Sequence, residues 1–205
     1  MIESEIKAVI FDFGKVICDF DIGLFLARAA AYSPNSTESL RSAMNSLKDV
    51  SIRYETGLMT SDDYYREICR TASLRMSRDE FIRAYADIFT PIPTTFDLIR
   101  QLAPRYRLGL LSNTGEWHFE YAIRTTDIFP LFDTVTLSYE AKSMKPDRRI
   151  YEDALRKLGL PAAACAYIDD MPENVDAGRT LGLRAIHYTT PENLHVELRR
   201  IGVAV

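Results

Sequence analysis

KAVIFDFGKVICDF, residues 7–20, joins an unbroken apolar run, Ala8-Val9-Ile10-Phe11, to a carboxylate, Asp12, and then to a glycine, Gly14. Continuous rather than alternating apolarity marks a strand covered on both faces, as in parallel sheets. The pattern returns in YRLGLLSN (106–113), TVTLS (134–138), CAYIDD (165–170) and LRAIHY (183–188). Amphipathic segments separate these runs. DRRIYEDALRKL (147–158) carries Ile150, Tyr151, Ala154, Leu155 and Leu158 at helical spacing, and Gly159 and Pro161 stop it. Helices over 172–181 and 191–201 each open on a proline. Strand alternating with helix from residue 106 onward predicts an α/β fold: a doubly wound, Rossmann-like, mainly parallel sheet.

Residues 21–90 interrupt that pattern. They show no clear strand, and periodic segments near 22–31, 37–49, 61–73 and 78–89 predict four helices. Ser33-Pro34-Asn35 and Thr56-Gly57 mark turns, and Pro91-Ile92-Pro93 reads as the linker back to the sheet. The expected organisation is a core domain of residues 1–19 and 91–205, with a small α-helical cap, residues 20–90, inserted after the first strand. Tyr64, Tyr65, Phe81 and Tyr85 fall at helical spacing and are expected to form the cap's own core.

A length of 205 residues suits one domain with a small insert. A hydrophobic share of 47% predicts a packed interior, and a net charge of -4 offers no field for nucleic acid. Cys18, Cys69 and Cys165 are odd in number and far apart, which argues against a disulfide frame or a zinc site. The charged N-terminus MIESEIKAVI lacks the apolar centre of a signal peptide, and no run is long enough for a membrane span. The expectation is a soluble cytoplasmic protein, monomer or homodimer, with no membrane partner.

Ligands of open parallel sheets bind beyond the carboxyl ends of the strands. The polar residues there are Asp12, Ser112, Asn113, Lys145, Asp169 and Asp170. Three carboxylates brought together repel one another unless a cation lies among them. Hard oxygen ligands suit Mg²⁺, which also accepts a phosphate oxygen. The Ser112 hydroxyl with nearby N–H groups can hold phosphate, and Lys145 can neutralise it. Asp12 would then face an electrophilic phosphorus and could attack it. Each residue taken alone has a plainer reading: Ser112-Asn113 a turn, Lys145 a solvated charge, Asp169-Asp170 a helix cap.

Taken in order, these stretches resemble a haloacid dehalogenase (HAD) superfamily hydrolase along nearly the whole chain. FDFGKVI resembles the first motif and implies Asp12 as nucleophile, with the Gly14 backbone carbonyl at the metal. LLSNT (111–115) implies Ser112 as a phosphate ligand, with Asn113 beside it, and KPDRRIY (145–151) implies Lys145. YIDDMPENVDAGRTLG (167–182) implies Mg²⁺ binding by Asp170, assisted by Asp169. CDFD (18–21), YETG (54–57), LSNTGEWH (112–118) and MKPDRRIY (144–151) resemble the branch of glucose-1-phosphate phosphatase and the epoxide hydrolase N-terminal domain. That branch implies a small phosphorylated metabolite, such as a sugar phosphate, as substrate, with His118 near the site.

One departure matters. The family's phosphatases usually carry a second aspartate, an acid and base, where Gly14 stands. Gly14 is expected to permit a sharp turn. Asp19 or Asp21 is a candidate replacement for the acid, and Glu55 with Gly57 is expected to shape a turn in the cap. A metal-independent 2-haloacid dehalogenase and a phosphate-binding module without turnover are the alternatives.

Overall fold

The computed structural model describes residues 5–205; Met1–Ser4, at the head of the charged N-terminal stretch, lie outside the described residues. Its strands are β1 (Ala8–Phe11), β2 (Cys18–Phe20), β3 (Phe89–Pro91), β4 (Arg107–Ser112), β5 (Thr134–Leu137), β6 (Cys165–Asp169) and β7 (Arg184–His187). Five of them form one parallel sheet in the order β5-β4-β1-β6-β7. All five expected strands are present, and the fold is the doubly wound α/β arrangement.

The unbroken apolarity of β1 has a direct cause. Side chains alternate across a strand, and here both faces are covered. Val9 and Phe11 pack with Leu108, Leu110, Ala166 and Ile168 on one face. Ala8 and Ile10 pack with Leu111, Cys165 and Tyr167 on the other. The first face is covered by helix α6 (Pro93–Leu102) and by α11 (Pro191–Arg200); the second by α9 (Arg148–Leu158). Asp147 caps the start of α9 through the Arg149 N–H, 2.9 Å away, and Gly159 ends it at φ 67°. Pro93 turns out to be the first residue of α6 rather than part of a linker, a position proline tolerates because the first turn has no use for its N–H.

Between β1 and β4 lies a layer of helices: α1 (Ile22–Ala29), α2 (Thr37–Ser46), α3 (Lys48–Glu55), α4 (Ser61–Thr71) and α5 (Arg78–Ala86). Polar caps start four of them. Asp21, Ser36, Thr60 and Ser77 each accept from a first-turn N–H, and Ser77 with Glu80 forms a reciprocal capping box. The helix expected over 37–49 is broken at Leu47, which leaves helical geometry (φ -99°, ψ 18°) and lies buried in the core of the insert. The polar KDVSIRYE then forms α3, with Tyr54 as its one fully buried side chain. The expectation of no strand in 21–90 is corrected at its edge. β2 and β3 pair antiparallel as a two-stranded stem, each only three residues long and so too short to show a period. No helix of the described residues is long and apolar enough to cross a membrane.

The insert has its own hydrophobic cluster, which includes Tyr64, Phe81 and Tyr85. Polar links pin it to the sheet domain. Tyr54 OH accepts from the Trp117 N–H (3.0 Å), Lys142 Nζ donates to the Gly57 carbonyl (2.6 Å), and Ser138 Oγ donates to the Glu55 carbonyl (2.5 Å). Gly57 is required at this junction. It sits at φ 68°, and a Cβ would collide with the Tyr139 carbonyl and with Lys142 Nζ. Gly57→Ala is expected to destabilise the fold by about 1–3 kcal/mol in urea unfolding. Gly159→Ala, also at positive φ but with nothing within 4 Å of the added carbon, is expected to lose less.

Candidate active site

Register brings the acidic groups together. Phe11 pairs with Leu110 on one side and Ile168 on the other, so Asp12 and Asp169 leave adjacent strands level with each other. Asp170 follows, its loop fixed by His187, whose Nε2 donates to the Asp170 carbonyl at 3.0 Å. Carboxylate oxygens of Asp12, Asp169 and Asp170 all lie within 4.8 Å of one another.

Lys145 sits among them with its side chain 1% exposed. Its Nζ donates to Asp12 Oδ1 (2.8 Å), Asp169 Oδ2 (2.7 Å) and the Leu111 carbonyl (3.1 Å), which uses all three ammonium hydrogens. Burial works against the charged form of Lys145, but Asp12 and then Asp169 outweigh it and hold the pKa above its ordinary value. Asn113 places the lysine. Its Oδ1 accepts from the Lys145 N–H (2.8 Å), and its Nδ2 donates to the Lys145 carbonyl (3.0 Å). Expected among the phosphate ligands, Asn113 has both ends of its amide engaged by the backbone of Lys145.

Asp169 is saturated. Besides Lys145 it accepts from Tyr167 OH, from the Met171 N–H (2.8 Å) and from Asn174 Nδ2 at 3.0 and 3.2 Å. Burial acts to raise its pKa, yet Lys145 and these donors carry it below the usual carboxylate range. Tyr167 reaches it because residues two apart share one face of a strand. Asp12 differs: Oδ1 accepts from the Phe13 N–H (2.7 Å) and from Lys145, while burial pushes the pKa up to about 7 against the pull of the lysine. Burial and Asp169 also raise Asp170.

Three carboxyl groups share one ammonium, so their full ionisation would leave two negative charges without a partner. The donor set is all oxygen, with Asp12 and Asp170 less engaged than Asp169. Those features fit a divalent hard cation such as Mg²⁺.

A cleft of about 330 Å³ opens beside this cluster, between the insert and the ends of β1 and β4. Gly14, Ser112, Asn113 and Thr114 line it from the sheet, and Met44, Asn45, Ser51, Glu55, Tyr64 and Tyr85 from the insert. His118 also lines it. Its ring stacks on Tyr85 with centroids 3.9 Å apart, and Nε2 donates to the Tyr85 carbonyl at 3.1 Å. Burial lowers its pKa to about 4, so the ring is neutral and serves as a wall. Trp117 is buried among Tyr54, Tyr65 and Phe81 rather than set in the cleft.

Gly14 does not turn the chain by a left-handed backbone; Lys15, at φ 61°, takes that conformation. Neither candidate for the missing acid faces the cleft. Asp19 is exposed and paired with Lys15, and Asp21 caps α1 through the Gly23 N–H (2.7 Å). Glu55, expected only to shape a turn, is instead the last residue of α3 and part of the cleft wall. Ser138 was not singled out by sequence. Fully buried, it accepts from the Thr114 N–H (2.9 Å) while donating to the Glu55 carbonyl, and so ties the end of β4 to the insert.

Fold and site together define a doubly wound α/β protein with an acidic cluster at the carboxyl ends of its strands. The chain belongs to the haloacid dehalogenase-like hydrolases, whose profile matches residues 6–182. It is 23% identical over 199 residues to the D-ribitol-5-phosphate phosphatase of Bacteroides thetaiotaomicron, covering 92% of this chain and 93% of that one. It is 24% identical over 201 residues to a drimenol cyclase of Aspergillus calidoustus, covering 96% of this chain but only 36% of the cyclase. A HAD family enzyme of Bacteroides thetaiotaomicron, crystallised with magnesium and inorganic phosphate, superposes with a TM-score of 0.77 at 21% identity, covering 90% of this chain and 94% of that one. At that identity the likeness shows the fold.

A cation that binds only the folded state raises its stability, by about 2.7 kcal/mol at a hundred times Kd. Added Mg²⁺ is expected to raise the melting temperature, and Asp170→Asn to remove most of that shift in a thermal denaturation series.

Proposed function

We propose that this protein is a Mg²⁺-dependent phosphomonoesterase acting on a small phosphorylated metabolite. One observation carries the reading: Asp12 is held by Lys145 and the Phe13 N–H inside a cluster of three carboxyl groups that shares a single ammonium. Bound by Asp12 and Asp170 with the Gly14 carbonyl, Mg²⁺ would supply charge neutralisation between the nucleophile and a phosphate dianion.

The residues of the chain do the rest. Oδ1 of Asp12 is anchored, which leaves Oδ2 to attack phosphorus in line and form an aspartyl-phosphate. Ser112, at the end of β4, holds a phosphate oxygen. Lys145 favours the ionised form of Asp12 against the effect of burial and offsets charge as the transition state forms. Asp169 acts through others: it orients Lys145 and, with Asn174, fixes the loop that carries Asp170. Water then cleaves the phosphoenzyme.

In this reading residues 20–90 are the cap and the rest the core, and the organic part of the substrate rests against the cap. Asn45, Ser51 and Glu55 supply that wall's polar groups, suited to sugar hydroxyls. Ile22, Met44, Tyr64, Tyr85 and Ile88 make the remainder apolar, which also admits a less polar alcohol.

The test is phosphate release from a panel of phosphate monoesters, with Mg²⁺ and with EDTA. Release should require Mg²⁺, and Asp12→Asn should lower kcat at least about 10³-fold, or about 4 kcal/mol in barrier. Halide release from 2-haloacids that survives EDTA would establish the dehalogenase instead. Thermal stabilisation by phosphate with Mg²⁺, without turnover of any ester, would establish a binding module.

A further inference from the structure

Position 14 carries no acid, yet departure of an alkoxide from phosphorus needs a proton. Asp19 and Asp21 are engaged outside the cleft. Among the described residues that line the cleft, Glu55 is the one carboxylate, and it shares the cavity with Gly14 and Ser112.

The surroundings of Glu55 are unusual for a carboxylate. Its side chain makes no hydrogen bond or ion pair to any described residue, although its backbone is firmly held. The Glu55 carbonyl accepts from Ser138 Oγ, the preceding Tyr54 OH accepts from the Trp117 N–H, and the Gly57 carbonyl accepts from Lys142. An unpartnered side chain on a tethered helix end is thereby held in the cleft wall. The titratable groups facing it are Tyr64 of α4 and Tyr85 of α5, with His118 on the same cavity. Burial keeps both phenols protonated and the imidazole neutral, and no charge from α2 or from the short helix at Ser138–Ala141 acts on it. Burial alone pushes its pKa up to about 7, where both protonation states are populated near neutrality.

We propose that Glu55, reaching in from the helical insert, is the catalytic acid and base that the sheet domain lacks at Gly14. The assignment rests on the phosphomonoesterase reading. As Asp12 Oδ2 bonds to phosphorus, the bond from phosphorus to the ester oxygen breaks, and the Glu55 proton passes to that oxygen to release the alcohol. Glu55, now a carboxylate, takes a proton from water as the water oxygen attacks the aspartyl-phosphate. Inorganic phosphate leaves, with Asp12 ionised and Glu55 protonated as at the start.

Glu55→Gln tests this because an aryl leaving group needs no proton. With a simple alkyl phosphate the phosphorylation step should fall about 10²-fold or more. With p-nitrophenyl phosphate the pre-steady-state burst of nitrophenolate, which reports phosphorylation of Asp12 alone, should stay within about tenfold while later turnover slows. Thermal stabilisation by Mg²⁺ with inorganic phosphate should be retained, showing that the variant is folded with its site intact. A Cβ at Gly14 meets only the ring of Phe20, 3.1 Å at its nearest atom. Gly14→Asp in the Glu55→Gln background should therefore recover the alkyl rate at least tenfold. Equal losses for alkyl and aryl esters, or no loss for either, overturn the role of Glu55. A wild-type protein that releases phosphate from neither ester overturns the phosphomonoesterase reading itself, and this assignment falls with it.

Discussion

A buried ammonium group organises this protein. Lys145 Nζ lies out of reach of water, and each of its three hydrogens meets an oxygen supplied by a different part of the sheet edge. A charge so placed is tolerable only if it is fully paired. β1 must therefore deliver Asp12, β6 must deliver Asp169, and β4 must present the Leu111 carbonyl. The order β4-β1-β6 makes that possible, because the three strands are immediate neighbours. Asn113 and Tyr167 then hold what the ammonium has gathered, one gripping the lysine backbone and the other its carboxylate partner.

The same economy of placement governs the junction between insert and sheet. Ser138 joins Thr114 to Glu55 within one buried hydroxyl. The loop bearing Ser112 and the helix bearing Glu55 are thus set against each other by a single side chain. Neighbouring links at Tyr54 and Gly57 leave α3 little freedom at its C-terminal end. The cleft between the two parts has one wall whose position is determined by the other.

Much of this was legible in the sequence because two signals coincided. Asp12 and Asp169 each end an uninterrupted apolar run, and a run buried on both faces can end only at the sheet edge. The order of the strands, and so the two neighbours of β1, is known only from the structure. Other features left no mark. Asn113 is adjacent to Ser112 and looks like a fellow ligand, whereas its amide is taken by a residue 32 positions along the chain. Gly14 looks like the turn residue, but Lys15 adopts the left-handed backbone. Glu55 lies in a polar octapeptide whose single buried side chain gives no period, and which wall of the cleft it joins depends on packing between two elements far apart in sequence.

The insert completes its aromatic interior with a residue it does not own. Trp117 belongs to the segment after β4, yet it is buried against Tyr54, Tyr65 and Phe81. Baring an indole strips roughly 150–250 Å² from its packing, about 4–6 kcal/mol at 25 cal/mol per Å². Lifting the helices away as a block would incur that penalty on every catalytic cycle. Trp117 therefore works as a rivet between the two parts, set by one and buried in the other.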